Sequence, residues 1–226
     1  WTDDTHLVFH LVQNACFSDG TPFNADDVVF TYEKAMDPDR SAVAATLGLV
    51  ESVEKIDDYT VQFVTSSYSN ELLAVLAGYP LVILSEDAYN DPSNEEPYLI
   101  GTGRYVFNEW KQSEYVSFVK NENFWGEDPG VAEEIIFRPI LESASRVAAL
   151  QSGEIDVCID PPINDLQFLE EDENVVVHNQ AGTRLFYFGF NCEHEPFDNQ
   201  TLRQAISCAI DKQTIVDVVL QGYGQT

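Results

Sequence analysis

"FSDGTPFNADDVVFTYEKA" (residues 17–35) decides how the rest of the chain is read. Taken alone, it is an acidic loop that could serve a catalytic site or a cation as readily as the start of a helix. The order of its residues favours the helix. Ser18-Asp19-Gly20-Thr21 is a turn signal, with Gly20 supplying a positive φ. Asn24 is placed to cap a helix from Ala25 to about Met36, and Asp26 and Asp27 fall in its first turn, against the positive end of the dipole. Val28, Tyr32 and Ala35 share one face, with Val29 and Met36 beside it. A calcium loop would need further oxygen ligands after Asp19-Gly20, where Thr21, Pro22 and Phe23 stand instead.

Working outward from this stretch, "HLVFHLV" (6–12) alternates as a strand. "VESVEKIDDYTVQFVT" (50–65) reads as a hairpin turning at Asp57-Asp58. A short helix covers Asn70 to Leu76. A loop rich in Asn, Asp, Pro and Glu, from Tyr89 to Tyr98, marks a boundary. After it, "GTGRYVFNEWKQSEYVSFVKN" (101–121) gives two strands joined near Gln112 and Ser113. "EEIIFRPI" (133–140) and "EIDVCI" (154–159) read as buried strands. The helix "SASRVAALQSG" lies between them and is closed by Gly153. This order predicts a βαβ unit with parallel strands. "VVVHN" (175–179) and "TRLFYFGFN" (183–191) add two more strands. "NQTLRQAISCAI" (199–210) and "KQTIVDVVLQG" (212–222) read as consecutive helices capped by Asn199 and Asp211, the second ending at Gly222. No internal repeat is visible, and the class is α/β.

Composition narrows the possible partners. With 226 residues, 44% of them hydrophobic, the chain can bury one sizeable core or two smaller ones. Thirty-nine acids against 11 Lys and Arg give a formal charge of −28. Such a surface repels phosphate backbones and anionic headgroups, which argues against nucleic acid as a partner. The longest apolar stretch, Ala74 to Leu84, is too short to span a bilayer and is broken by Gly78 and Pro80. Trp1 opens in polar sequence without the basic region of a signal peptide, so a mature or trimmed product is expected. Cys16, Cys158, Cys192 and Cys208 contain no CxxC pair, which argues against zinc ribbons and redox motifs. Cys208, in an apolar helical run, reads as a small core residue.

The search for chemistry finds no catalytic set. Asp26-Asp27, Asp57-Asp58 and Glu170-Glu171 are adjacent pairs whose side chains diverge, whereas a glycosidase pair must flank a bond. They read as solvated faces. His6 and His10 are separated by roughly 13 Å along a strand and cannot share a metal. Cys192 and His194, between Glu193 and Glu195, form the best metal cluster available, but an exposed turn accounts for them. "GTGRYV" (101–106) has Val106 where a dinucleotide loop needs its last glycine, and a strand follows it rather than a helix. Asn199-Gln200-Thr201 matches a glycosylation sequon, but a helix cap explains it more simply. Neither a cofactor nor a metal is expected.

Several segments together resemble a known family. "FSDGTPFNADDVVFTYEKAMDP", "VESVEKIDDYTVQF", "IGTGRYVFNEWKQSEYVSFVKNENFWG", "RVAALQSGEIDV" and "NCEHEPFDNQTLRQAISCAIDKQTIVDVVLQGYG" are similar, in order and over nearly the whole chain, to the family 5 extracellular solute-binding proteins. These are the dipeptide-, oligopeptide- and nickel-type receptors of ABC importers. Arg104 stands where a proline is common after Gly-Thr-Gly, and Asn199-Gln200-Thr201-Leu202-Arg203 replaces the usual Asp-Asp/Val-x-Val-Arg run; neither disturbs the turns and helices.

The resemblance implies a type II periplasmic-binding-protein fold, with two α/β lobes closing over a ligand. Residues 1 to about 100 would be an extra subdomain of lobe I, 101 to about 198 its central part, and 199–226 the first helices of lobe II. Members are about twice as long, so a fragment is expected, without most of lobe II. The resemblance implies a receptor that captures a peptide or similar small solute outside the membrane and delivers it to a permease. The protein would sit in the periplasm or at the cell surface, held to the membrane only by a lipid anchor outside this sequence. A carboxylate-dependent glycan hydrolase and a non-transporting surface sensor are the alternatives. The acid that pairs with a peptide's amino terminus would lie beyond Thr226. What remains is the strand 183–191, which in relatives meets an extended peptide by strand addition. Alternation puts Leu185, Tyr187, Gly189 and Asn191 on one face and Phe186, Phe188 and Phe190 on the other. Tyr187, Gly189 and Asn191 are the candidate ligand-binding residues: a hydroxyl over an apolar wall, room for close backbone approach, and a paired donor and acceptor. The competing reading has the aromatics filling a sheet core and Asn191 turning the chain.

Overall fold

The computed structural model describes every residue except Thr183. The chain forms two compact units, Trp1–Pro139 and Ile140–Thr226.

In the first unit, β1 (His6–His10) leads into the quoted stretch. Phe17 N–H donates to Thr21 O at 2.8 Å and Gly20 N–H to Phe17 O at 2.9 Å, closing a tight loop around the fully buried Phe17. Gly20 has φ +88°, a conformation in which a side chain would be strained. Helix α1 (Ala25–Ala35) follows and is capped as the sequence predicts. Asn24 Oδ1 accepts from Asp26 N–H at 2.7 Å, and Asp27 Oδ2 accepts in return from Asn24 N–H at 2.9 Å.

The structure corrects the solvated-face reading of this acid pair. Asp26 is on the surface, 2.9 Å from Lys55 Nζ, but Asp27 is buried. Its second oxygen accepts from Glu86 N–H at 3.0 Å, so the carboxylate ties α1 to the start of a later helix. Burial pushes the Asp27 carboxyl up, against the pull of these two N–H donors.

Strands β2 (Val50–Asp57) and β3 (Thr60–Thr65) form the expected hairpin. With β1 they make an antiparallel sheet in the order β1-β3-β2. Val61, Phe63 and Thr65 alternate inward from the central strand, and Val28 and Tyr32 of α1 pack over them with Leu7, Val53 and Leu72. The Phe63 ring meets Phe9 at 5.4 Å and Tyr32 at 4.8 Å, edge to face. Helix α2 (Leu72–Leu76) lies within the predicted span. Helix α3 (Glu86–Asn90), capped by Ser85, was not predicted.

The second sheet, also antiparallel, has the order β4 (Tyr105–Lys111), β5 (Tyr115–Lys120), β6 (Glu134–Phe137). Loop bonds join it to the quoted stretch. Ser18 N–H donates to Gly101 O at 2.8 Å, and Asn123 Nδ2 donates to Ser18 O at 3.0 Å. The turn 17–21, the Gly-Thr-Gly loop and the turn 121–125 therefore interlock, which joins two of the quoted family segments in one place.

The predicted βαβ unit is not formed. β6 pairs antiparallel with β5, and Ile136 and Phe137 are half exposed rather than buried. In the second unit, α4 (Ser143–Gln151) ends at Gly153, whose φ is +74°. The N–H groups of Glu154 and Ile155 then turn back to Ala149 O at 2.9 and 3.3 Å. These donors close the helix instead of entering a ladder, so 154–159 is not a strand. Residues 175–179 likewise form no strand. Helix α5 (Ile163–Glu170), which follows Pro162, was not predicted. Helix α6 (Gln200–Ala209) and helix α7 (Lys212–Thr214) carry the expected Asn199 and Asp211 caps, and α7 widens into a π turn over Ile215–Val219. Cys208 is exposed, contrary to the core reading: it points away from the side of α6 that carries Leu202 and Ile206. Among the described residues, no helix is long and apolar enough to cross a membrane.

Candidate ligand-binding segment

Tyr187, Gly189 and Asn191 lie in the second unit, between residues 175–179 and α6. The predicted strand is corrected here: residues 184–190 carry no ladder, and Thr183, where that strand was to begin, lies outside the described residues. A strand is only as real as the backbone beside it, because its N–H and C=O groups need partners on a neighbouring chain. Among the described residues, none supplies such a partner to residues 184–189. The aromatics do not fill a core either. Leu185, Phe186, Tyr187 and Phe188 are 77, 79, 80 and 74% exposed.

Gly189 has open space beside it. A β-carbon there would meet only the edge of the Tyr187 ring, at 3.9 Å, so the chain's own packing does not demand glycine. Tyr187 and Gly189 are therefore neighbours, as alternation predicts. Asn191 differs: its Oδ1 accepts from Glu193 N–H at 3.1 Å and its carbonyl from His194 N–H at 3.3 Å. It starts a corner, which is the turn role weighed for it. In the same corner Cys192 and His194 are exposed.

Two residues that fix this corner were missed by sequence reasoning. Phe197 lays its ring 5.3 Å from that of Phe190, and both are half-buried while the four side chains of 185–188 are open. Arg203, on α6, donates from Nη1 to Phe197 O at 2.5 Å and Asp198 O at 3.1 Å. A signal for it exists in the sequence, an arginine four residues beyond a helix cap. The same spacing recurs at Glu142 and Arg146, where Arg146 Nη1 donates to Ile140 O at 2.8 Å and Leu141 O at 3.3 Å. The segment thus offers a run of unpaired backbone groups, an apolar and aromatic surface, and an anchored end. Among the described residues it presents no nucleophile–base pair.

Comparison with known proteins gives this arrangement its context. The model of the "Bacterial extracellular solute-binding proteins, family 5 Middle" matches residues 1–226. Di/tripeptide-binding protein 1 of Pseudomonas aeruginosa (strain UCBPP-PA14) is 32% identical over 224 residues, covering 90% of this chain and 41% of that protein. Heme-binding protein A of Haemophilus influenzae is 31% identical over 248 residues, covering 98% and 45%. The structure resembles the periplasmic binding protein DppA of Helicobacter pylori in complex with the peptide STSA, with a TM-score of 0.81 and 28% identity over all of this chain and 48% of that one. It also resembles a dipeptide-binding protein of Pseudoalteromonas sp. SM9913 in complex with Met-Leu, with a TM-score of 0.82 and 27% identity over 98% and 48%. These relatives are binding proteins rather than enzymes, and the chain spans less than half the length of each. Over that span it has the α/β fold of the type II periplasmic binding proteins. The chain belongs to the bacterial extracellular solute-binding proteins of family 5.

Proposed function

We propose that this chain is part of the substrate-binding receptor of an ABC importer and that it takes peptides by strand addition along residues 185–191. The observation that carries this reading is the run of unpaired backbone beside four open apolar side chains, in a chain of this family. An exposed apolar row of this kind marks a surface that another group covers. In strand addition, main-chain bonds give affinity and side-chain pockets give specificity. Tyr187 would then lie along the ligand, Gly189 would let its backbone come close, and Asn191 would mark the end of the pairing edge. The ligand favours the closed state of the receptor because it contacts both lobes there, and so shifts the equilibrium toward closure. Residues 1 to about 100 would form the extra subdomain of lobe I, 101 to about 198 its centre, and 199–226 the opening of lobe II. Capture takes place outside the cytoplasm and a permease receives the solute. The chain is a carrier of its ligand and not a catalyst.

Hydrogen exchange on the full-length receptor tests this. Di- and tripeptides are expected to slow the amides of residues 185–191, whereas haem or Ni(II)-histidine leaves them unchanged. A response to haem or the nickel complex with none to peptides overturns the peptide assignment. Release of sugars from a cell-wall glycan would overturn the receptor reading altogether.

A further inference from the structure

The segment 185–191 ends in a corner that Phe197 and Arg203 hold. From Asn191 the chain folds into a corner in which Phe197 and Asp198 N–H both donate to His194 O, at 2.8 and 3.1 Å. The Phe190–Phe197 ring contact joins this corner back to the segment. Arg203 holds the other side, its Nη1 shared between the carbonyls of Phe197 and Asp198. In a chain with 39 acids, this guanidinium forms no ion pair among the described residues and is committed to main-chain carbonyls. The two N–H groups of Nη1 are held in the guanidinium plane and can serve two adjacent carbonyls in fixed geometry, whereas the ammonium of lysine rotates freely on its stem.

We infer that Arg203 is a positioning residue for ligand binding: by fixing Phe197 against Phe190 it sets where the backbone of Gly189 to Asn191 meets the ligand. This rests on the peptide reading of the segment. Its special character shows against Arg146, which has the same register on α4 and clamps Ile140, Leu141 and, through Nη2 at 3.3 Å, Asp160. None of these belongs to the segment. Arg146 is therefore a built-in control for the purely structural effect of removing such a clamp.

The experiment compares Arg203→Met, Arg203→Lys and Arg146→Met in the full-length receptor, with a tripeptide as probe, well below each variant's melting temperature. Arg203→Met is expected to raise the peptide Kd about tenfold, through the loss of a charge-assisted bond that orders the site. Arg203→Lys should recover part of that loss. Arg146→Met should lower the melting temperature with Kd unchanged. In ligand-free protein, the NMR contact between the Phe190 and Phe197 rings should weaken in Arg203→Met and persist in Arg146→Met. If Arg203→Met lowers only the melting temperature, with Kd and ring contact intact, the positioning role is overturned while the peptide reading stands. If the wild-type protein binds no peptide, the peptide reading falls, and the ring contact still decides whether Arg203 orders the segment.

Discussion

The units Trp1–Pro139 and Ile140–Thr226 use the same local devices and differ in what those devices are joined to. Side-chain caps start α1 and α3 in the first unit, and α4, α6 and α7 in the second. All six strands among the described residues lie in the first unit, where β1 and β3 bring residues fifty or more positions apart into register, from His10 with Thr60 to His6 with Val64. The buried apolar side chains of the second unit are few: Val147, Ala149, Leu169 and Val216. Helices close on their own backbone and need only a cap and an apolar stripe. Strands need another strand, and the strand-like sequences at 154–159 and 184–191 meet none among the described residues. The contrast shows that an apolar alternating pattern specifies a face, while the partner must come from elsewhere.

The sharpest way to break this contrast is to remove one aromatic ring from each unit. Phe63 is 2% exposed and packed edge-on by Phe9 and Tyr32, so Phe63→Ala should cost about 3–5 kcal/mol. Phe188, in the open segment, should change stability by no more than about 0.5 kcal/mol when replaced by Ala. Denaturant unfolding followed by tryptophan fluorescence reports the first unit alone, since Trp1, Trp110 and Trp125 all lie there. Far-UV circular dichroism reports the helices of both. Equal effects of the two substitutions would mean that the segment 185–188 has a packed partner in solution.

A second test asks whether caps are worth the same in both units. Asn199→Ala removes an exposed cap that accepts from Thr201 and Leu202 N–H, and should cost about 1 kcal/mol. Asp27→Ala should cost more, about 2–4 kcal/mol, because it leaves the N–H groups of Asn24 and Glu86 without their acceptor at a buried site. Equal costs would show that the bond from Asp27 to Glu86 adds nothing beyond the local cap.

What the sequence makes legible follows the same division. Asn24, Asn199 and Asp211 act as caps, Gly153 ends α4, and the hairpin at 50–65 turns where Asp57 and Asp58 predict. Each is a short-range rule with its partner within a few residues. Asp27 was legible in part: the Asn-x-x-Asp spacing signals a capping box, but not the N–H of Glu86 that buries it, 59 positions away. Cys208 was misplaced because an apolar run was taken for an apolar face; from Ile206 it lies about 200° round the helix. Of the candidate site, the alternation that makes neighbours of Tyr187 and Gly189 was readable. Its exposure was not, because exposure depends on what the chain fails to bring near. Arg203 could have been found from its recurrence with Arg146 at one spacing from a cap.

The smallest expected effect concerns acid, and it probes whether purely local devices behave alike in the two units. Asp3 accepts from Thr5 N–H at 2.8 Å and His6 N–H at 2.9 Å, and its ring partner His6 Nδ1 is also 2.9 Å away. The backbone bond from Thr5, then the bond to His6, hold its carboxyl down at about 2, from an ordinary 3.8. Asp211 is lowered in the same way by Thr214 N–H and its hydroxyl. For an acid with a depressed folded value, the unfolded chain takes up the proton first. The stabilisation is therefore complete above pH 3.8 and is lost as pH falls through about 2. Asparagine keeps the acceptor oxygen and removes the titration. Asp3→Asn should flatten the fall of melting temperature with acid in that window, and Asp211→Asn should flatten it below the ordinary carboxylate range, each by a small amount. A large effect at one position only would mean that its turn supports contacts beyond its own few residues, and that the two units differ even in their local structure.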